Sequence, residues 1–256
     1  MTCDAGIVEE RAGPWRILRR ENVAAGEVER ALMEPGEIIK ASRKSETRRV
    51  GPLVVKLTVP SLAETLKLTA LRNRYRRAWD AALYLENHDI PTPPPVATAW
   101  QSTGWLVLGS AFVSGFLEDC VDVERYADSM IQQGAGAAEI QGYLSRIAQA
   151  VNALTACGAV HTDLAGKNIL TRDGQVFYFI DLDGILLKTP YTDAHRFKNQ
   201  VQLYDSFVDR WGDEHLRPFL DLMMPNPRPG WFDAVRAAQA KRRARTVRIW
   251  SMQGRI

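Results

Sequence analysis

Asp163, Asn168 and Asp181 are the residues whose types and spacing in this chain best suit chemistry. Asp163 and Asn168 stand five residues apart in CGAVHTDLAGKNIL, the stretch from Cys157 to Leu170. Asp181 follows thirteen residues after Asn168, at the end of an apolar run that comes after a turn at Asp173 and Gly174. A hairpin of that length would return Asp181 to the side of Asn168. Two carboxylates and an amide oxygen would then converge, and hard divalent cations such as magnesium take such oxygen ligands while keeping waters. Buried carboxylates repel each other, so the arrangement calls for a cation or a shared proton. The plainer alternative is a solvated polar turn.

The elements that must position these residues follow from periodicity. Residues 15 to 60 read as short strands, WRILRR, GEIIKASR and RRVGPLVVKLTV, with breaks at Gly26, Gly36 and Gly51. Residues 62 to 88 lack Gly and Pro, and Leu66, Ala70, Trp79, Leu83 and Leu85 can share one broad face, which predicts a long helix. The prolines of IPTPPP end it. VATAW and GWLVLGSAF read as strands around a turn at Gln101 to Thr103. Helices are expected over Asp119 to Gln133 and Ala138 to Cys157, the latter with Ile140, Leu144, Ile147, Val151 and Leu154 on one face. Gln175 to Leu187 reads as a strand, and the chain from Thr192 onward as helical with a break at PNPRPG. The pattern predicts an α+β fold with a strand-rich half carrying one long helix, an apolar connector near 109 to 116, and a helix-rich half. A ligand cleft is expected at such a junction.

Composition excludes several classes. The 256 residues are 46% hydrophobic and 25% charged, as in an ordinary globular protein, and the net charge of +3 is too small for a general polyanion binder. Nucleic acid is therefore not an expected partner. The cysteines, Cys3, Cys120 and Cys157, are odd in number and form no CxxC, which points away from a disulfide framework or a zinc site. The N-terminal stretch MTCDAGIVEERAGPW has no apolar core of a signal peptide. The longest apolar stretch, Thr103 to Phe116, falls short of the roughly 18 residues of a membrane span. A cytoplasmic protein is expected.

His161-x-Asp163-Leu164 with Asn168, followed by an apolar strand ending in Asp181-x-Asp183, resembles the catalytic loop and metal-binding motif of the protein-kinase-like superfamily. The resemblance implies a bilobal fold, with residues 1–110 as an antiparallel-sheet lobe and 111–256 as a mostly helical lobe. It implies ATP and magnesium as cofactors. Asp163 would orient or deprotonate an acceptor hydroxyl, Asn168 and Asp181 would hold magnesium, and His161 would tie the loop to the metal segment. Ala165 stands where many such kinases place Lys or His. Lys167 is expected to reach the γ-phosphate instead.

The first half fits the same pattern in part. Lys56 lies inside the apolar run PLVVKLTV, where a lone Lys must be paired or must snorkel. By the resemblance it would meet the α- and β-phosphates and an acid on the following helix. Glu64, Asp80 and Glu86 are the candidates, with Asp80 the best placed. The phosphate loop, KASRKSETRR from Lys40 to Arg49, contains no glycine, so Ser, Lys and Arg side chains would have to replace backbone contacts, or the segment is a solvated basic turn. The connector from Gly109 to Gly115 would be the hinge, with the backbone of Ser110, Ala111 and Phe112 meeting the adenine edge.

A narrower resemblance lies in YRRAWDAALYLENHDIPTPPPVA, YFIDLDG and HRFKNQVQLYDSF. These are similar to the bacterial lipopolysaccharide core kinases, which phosphorylate Kdo or heptose, and the likeness spans roughly residues 36 to 210. It implies a glycolipid or sugar acceptor. The dozen or so residues between Asp183 and His195 leave no room for a peptide-binding activation segment. From Arg236 to Ile256 the chain carries Arg236, Lys241, Arg242, Arg243, Arg245, Arg248 and Arg255 without an acid, and Trp231, Phe232, Val247, Ile249 and Trp250 lie before and among them. Such a segment suits an anionic leaflet, giving a peripheral location on the inner face of the cytoplasmic membrane, or the phosphates of a glycan. It equally suits a solvated helix face. Arg72, Arg74, Arg76 and Arg77 form a second basic cluster. The rival functions are another small-molecule or protein kinase of this fold and a pseudokinase binding module. The sequence does not set an oligomeric state.

Overall fold

The fold is α+β, an antiparallel sheet followed by helices. The computed structural model of the protein describes residues 6–42, 44–58, 61, 65, 74–226 and 228–252, without the side chains of 249, 250 and 252. Cys3, Arg43, Glu64, Leu66, Ala70, Arg72 and Arg255 lie outside the described residues, as does most of the first half of the helix expected over 62 to 88. The chain forms two compact units. One is Met1–Glu118 with Asp181–Ile185, and the other is Asp119–Ile180 with Leu186–Ile256.

The first unit is built on a seven-stranded sheet. Its strands are β1 (Ile7–Ala12), β2 (Trp15–Arg20), β3 (Glu37–Ala41), β4 (Ser45–Val50), β5 (Leu53–Thr58), β6 (Pro95–Thr103) and β7 (Leu106–Gly115). They lie in the order β1-β2-β6-β7-β5-β4-β3, each pair antiparallel. Period-two alternation gives β5 its two faces. Leu53 and Val55 join a core with Ile17, Ala97, Ala111 and Val113, so Val54 and Lys56 face the other way. The first face is covered by α1 (Ala25–Met33), which buries Val28, Ala31 and Leu32. This helix corrects the reading of residues 15 to 60 as strands alone. Gly26 sits in its first turn and does not break it, and its apolar residues stand at helical spacing. A second helix, α2 (Arg74–Glu86), buries Tyr75, Ala78, Trp79, Ala82 and Leu85.

Two further strand expectations change. The β6–β7 turn lies at Gly104, whose φ of +57° suits glycine, and not at Gln101 to Thr103, which continue β6. Gln175 to Leu187 is not one strand. Asp181 adopts a left-handed conformation at φ 62°, and a 3-10 turn follows over Leu182–Gly184. For a non-glycine residue that conformation is strained and collects at functional sites.

The second unit begins with β8 (Val121–Asp122) and α3 (Val123–Gln132), whose N-terminus is capped by the Asp122 carboxylate accepting from the Arg125 amide. The helix α4 (Ala137–Ala156) buries Ile140, Leu144, Ile147, Val151 and Leu154, the predicted face. Then come β9 (Val160–His161), β10 (Ile169–Thr171) and β11 (Tyr178–Phe179), with β10 between β11 and β8 in a small antiparallel sheet. The helices α5 (Asp193–Phe207), α6 (Asp213–Asp221) and α7 (Trp231–Met252) complete it. Phe207 stacks on Trp211 and meets Phe219 edge-on, while Tyr204 meets Phe232 edge-on, so aromatic contacts join these three helices.

Candidate active site

In the first unit Lys56 stands among carboxylates. Its Nζ contacts Asp181 and lies 3.0 Å from Asp183 Oδ1. The other oxygen of Asp183 accepts from Arg74 Nε at 3.1 Å, with Arg74 Nη2 at 3.0 Å. Asp183 is only 16% exposed and Lys56 21%. Burial opposes the Lys56 charge, but Asp183 and Asp181 outweigh it and hold its pKa above the ordinary lysine value. The left-handed Asp181 makes this possible, because it turns the chain into the 3-10 turn that carries Asp183.

Of the expected helix acids, Glu64 lies outside the described residues, and the two that are described pair elsewhere. Asp80 lies on the solvent side of α2 at 46% exposure and takes Arg76 one turn back. Glu86 pairs with Arg20. Among the described residues the carboxylates beside Lys56 are those of Asp181 and Asp183, and α2 contributes the Arg74 cation next to them.

The structure places Ser110, Ala111 and Phe112, the residues expected to meet an adenine edge, in a strand. All three lie within β7, which has β6 on one side and β5 on the other. Trp100 stands opposite Ser110, Ala99 and Leu57 flank Ala111, and Thr98 and Lys56 flank Phe112. Ala111 and Phe112 are thus paired along both edges, while Ser110 is paired toward β6 and its carbonyl accepts from Thr58 Oγ1 at 3.2 Å. The segment from Lys40 to Arg49 closes without glycine because Ser42 builds the turn. Its hydroxyl accepts from the amides of Lys44 and Ser45, and Ser42 N–H donates to Ser45 O at 2.8 Å. Arg48 donates to Leu32 O at 2.9 Å, satisfying the end of α1. Arg49 takes Glu118 and lies over the Phe116 ring.

In the second unit the Asp163 loop is held from three sides. Asp163 N–H donates to His161 Nδ1 at 3.1 Å, so the tautomer that satisfies both ring contacts donates Nε2–H to Ile180 O at 2.9 Å. Asn168 Nδ2 donates to Asp163 O at 2.8 Å and to its Oδ2 at 3.3 Å. Gln202 Nε2 donates to Asp163 Oδ1 at 2.7 Å, while Gln202 Oε1 accepts from Leu164 N at 3.1 Å, which fixes the amide's orientation. Asn199 donates to His161 O at 2.8 Å. Gly166 N–H donates to Ser206 Oγ at 2.8 Å, and a Cβ there would come within 2.7 Å of Glu124 Cγ. Lys167 is exposed, with its backbone N–H donating to Glu124 Oε1 at 3.1 Å.

Sequence reasoning missed Gln202, Asn199 and Ser206. Their signal was present. On α5 they fall at i, i+3 and i+7, and all three are buried among Leu203, Tyr204 and Phe207. Buried polar side chains on one helix face imply hydrogen-bond partners opposite.

The donor set bears on magnesium. Both hydrogen bonds made by the Asn168 amide use its Nδ2, and its Oδ1 is a hard oxygen of the kind that magnesium takes. Ile180, bonded to both Asn168 and His161, is followed directly by Asp181. Among the described residues no three His, Cys, Asp or Glu side chains gather in a metal-holding group.

The basic C-terminal segment is partly neutralised within its own unit. Arg236 pairs with Asp213, Arg242 with Asp205, and Arg243 with Asp205 and Asp209. Lys241, Arg245 and Arg248 are exposed. No helix among the described residues is long and apolar enough to cross a membrane.

No curated protein sequence matches the chain. It matches 1622 chains of solved structures, and likeness of fold alone selects no substrate. One of these is described as WaaP in complex with acyl carrier protein. It superposes with a TM-score of 0.68 at 17% identity, over 88% of this chain and 98% of that one. The family model for the lipopolysaccharide kinase (Kdo/WaaP) family matches residues 41–222, spanning Lys56, Asp163, Asn168 and Asp181. The chain belongs to the lipopolysaccharide kinase (Kdo/WaaP) family, whose members are ATP-dependent phosphotransferases.

Proposed function

We propose that the protein transfers the γ-phosphoryl group of ATP to a sugar hydroxyl of the lipopolysaccharide inner core, on Kdo or heptose. The observation that carries this reading is the fixed carboxylate of Asp163, held by Gln202 and Asn168 on a loop of the family's kinase motif. Asp163 accepts the proton of the sugar hydroxyl. The hydroxyl oxygen forms a bond to the γ-phosphorus as the bond to the bridging oxygen of ADP breaks, and the electron pair leaves with ADP. Lys56 meets the α- and β-phosphates, and Lys167 meets the γ-phosphate. Asn168 and Asp181 would hold magnesium, which when bound neutralises charge on the phosphate oxygens. Catalysis is then mostly positioning and electrostatic stabilisation.

Lys241, Arg245 and Arg248 are the cations of α7 left for an anionic membrane surface. Each contributes about 1 kcal/mol near such a surface. An acyl carrier protein is a further partner to test, since the similar WaaP structure is of such a complex. The test of the function is label transfer from ATP, offered side by side to deacylated core oligosaccharide, an aminoglycoside and a protein substrate. Label on the oligosaccharide supports the reading. Label on either of the others instead, or ATP binding without transfer, would replace it with the rival kinase or the pseudokinase.

A further inference from the structure

Among the described residues Lys56 has two carboxylate partners, whose positions differ in kind. Asp181 is the residue assigned to magnesium. A carboxylate facing a divalent cation has less to offer an ammonium, so Lys56 then depends on its second partner. That partner, Asp183, divides its oxygens. Oδ1 faces Lys56 at 3.0 Å, and Oδ2 faces the Arg74 guanidinium through Nε at 3.1 Å and Nη2 at 3.0 Å. Two donors of a planar fork on one oxygen fix the carboxylate far better than a single point charge would. The Arg74 guanidinium also lies over the Tyr75 ring at 4.9 Å, on the same helix. Arg74 offsets the charge that Asp183 brings into a largely buried place, and Asp183 offsets Lys56.

We infer that Asp183 and Arg74 are positioning residues that hold the Lys56 ammonium for the nucleotide phosphates. The linkage runs from α2 through Arg74 and Asp183 to Lys56. The helix supplies a cation that orients an acid, where the sequence had suggested an acid on the helix itself. Asp80 and Glu86 are free of this duty because Arg76 and Arg20 occupy them. The inference rests on the proposed role of Lys56 in the kinase.

The test is a set of mutant cycles on the full chain, read by ATP affinity in calorimetry, by kcat and KM with deacylated core oligosaccharide, and by thermal melting. Asp183→Asn is expected to weaken ATP binding about tenfold, the size of a typical coupling between contacting charged residues. Arg74→Gln is expected to weaken it in the same direction, with partial recovery in Arg74→Lys. The effect of Arg74→Gln should vanish in an Asp183→Asn background, and both should vanish in a Lys56→Met background. A merely structural role predicts losses that add in every background and follow the melting temperature, and that outcome overturns the inference. Should Asp183→Asn fail to fold, the cycle between Arg74→Gln and Lys56→Met decides the matter alone. A wild-type protein that binds ATP with this coupling yet transfers nothing to sugar removes the kinase reading and leaves the positioning intact. An active wild type with uncoupled variants does the reverse, and a wild type with no ATP affinity overturns both.

Discussion

Gln202 is the residue whose loss should separate loop geometry from loop chemistry. Its side chain touches no proposed reactant, yet it donates to Asp163 Oδ1 at 2.7 Å and accepts from Leu164 N at 3.1 Å. Gln202→Leu keeps the volume and removes both contacts, together with the donation that Gln202 Oε1 receives from Asn199 Nδ2 at 3.4 Å. A hydrogen bond to a charged group contributes about 1.5–3 kcal/mol, and an orphaned buried donor costs about 1–3 kcal/mol. The two together predict a loss of roughly 2.5–6 kcal/mol in stability. The carboxylate of Asp163 would retain only Asn168, and a displacement of about 1 Å at such a group costs about a hundredfold in rate. Gln202→Glu is the informative companion, since it sets two carboxylates within hydrogen-bond distance, an arrangement that demands a shared proton. The assay is kcat and KM for both substrates, with chemical denaturation in parallel. The expected result is a fall in kcat near a hundredfold with KM for ATP nearly unchanged. A Gln202→Leu protein with wild-type kcat refutes the reasoning about the loop.

Gly166→Ala forces a Cβ to within 2.7 Å of Glu124 Cγ and 3.1 Å of Ser206 Cβ, so it should destabilise the protein by about 1–3 kcal/mol in urea unfolding. Lys56→Met should raise KM for ATP, and its effect on melting has a definite pH dependence. The Lys56 pKa is raised in the folded protein, so its contribution is full below the unfolded value near 10.5 and is lost as pH rises through the folded value. Wild type and Lys56→Met should therefore converge in melting temperature only at strongly alkaline pH. The bidentate Arg210–Asp128 pair works on the acid side, because its hydrogen bonds lower the Asp128 pKa. That contribution is present above about pH 4 and lost as pH falls through the folded value. Since Asp128 is nearly half exposed, Arg210→Gln should cost only roughly 0.2–1 kcal/mol at neutral pH in denaturant titrations. Binding to anionic vesicles should fall with Lys241→Gln, Arg245→Gln and Arg248→Gln together and should disappear at high salt; retention by the triple variant rules out α7 as the contact.

The parts of the molecule that were legible in the sequence are those with strong local patterns. The α4 face from Ile140 to Leu154 announced itself by spacing. So did the loop from His161 to Asn168, because its residue types are rare in that order. The parts that were not legible depend on partners distant in sequence. Lys56 was visible as an anomaly in an apolar strand, but its carboxylates lie more than a hundred residues away, and only the left-handed turn at Asp181 brings Asp183 to it. Asp80 looked well placed because it lies on the right helix, but helix position does not say which face meets the sheet. Ser110 to Phe112 looked like a connector because an apolar run with glycines at its ends resembles both a hinge and a central strand. The short α1 was hidden by Gly26, which costs a helix about 1 kcal/mol and does not forbid one. The basic run of α7 appeared unpaired because its acids lie elsewhere in the chain, Asp205 on α5, Asp209 in the turn after it and Asp213 at the start of α6.

The central claim is that Asp163 takes the proton of a sugar hydroxyl while ATP gives up its γ-phosphoryl group. It is tested most directly by mass analysis of deacylated inner-core oligosaccharide after incubation with ATP, magnesium and either the wild-type protein or Asp163→Asn. The account predicts a sugar product carrying one added phosphate with the wild type, and a loss of at least a hundredfold in its rate of formation with Asp163→Asn while ATP affinity is kept. Equal product from the two proteins, or an unmodified oligosaccharide from the ATP-bound wild type, would contradict it.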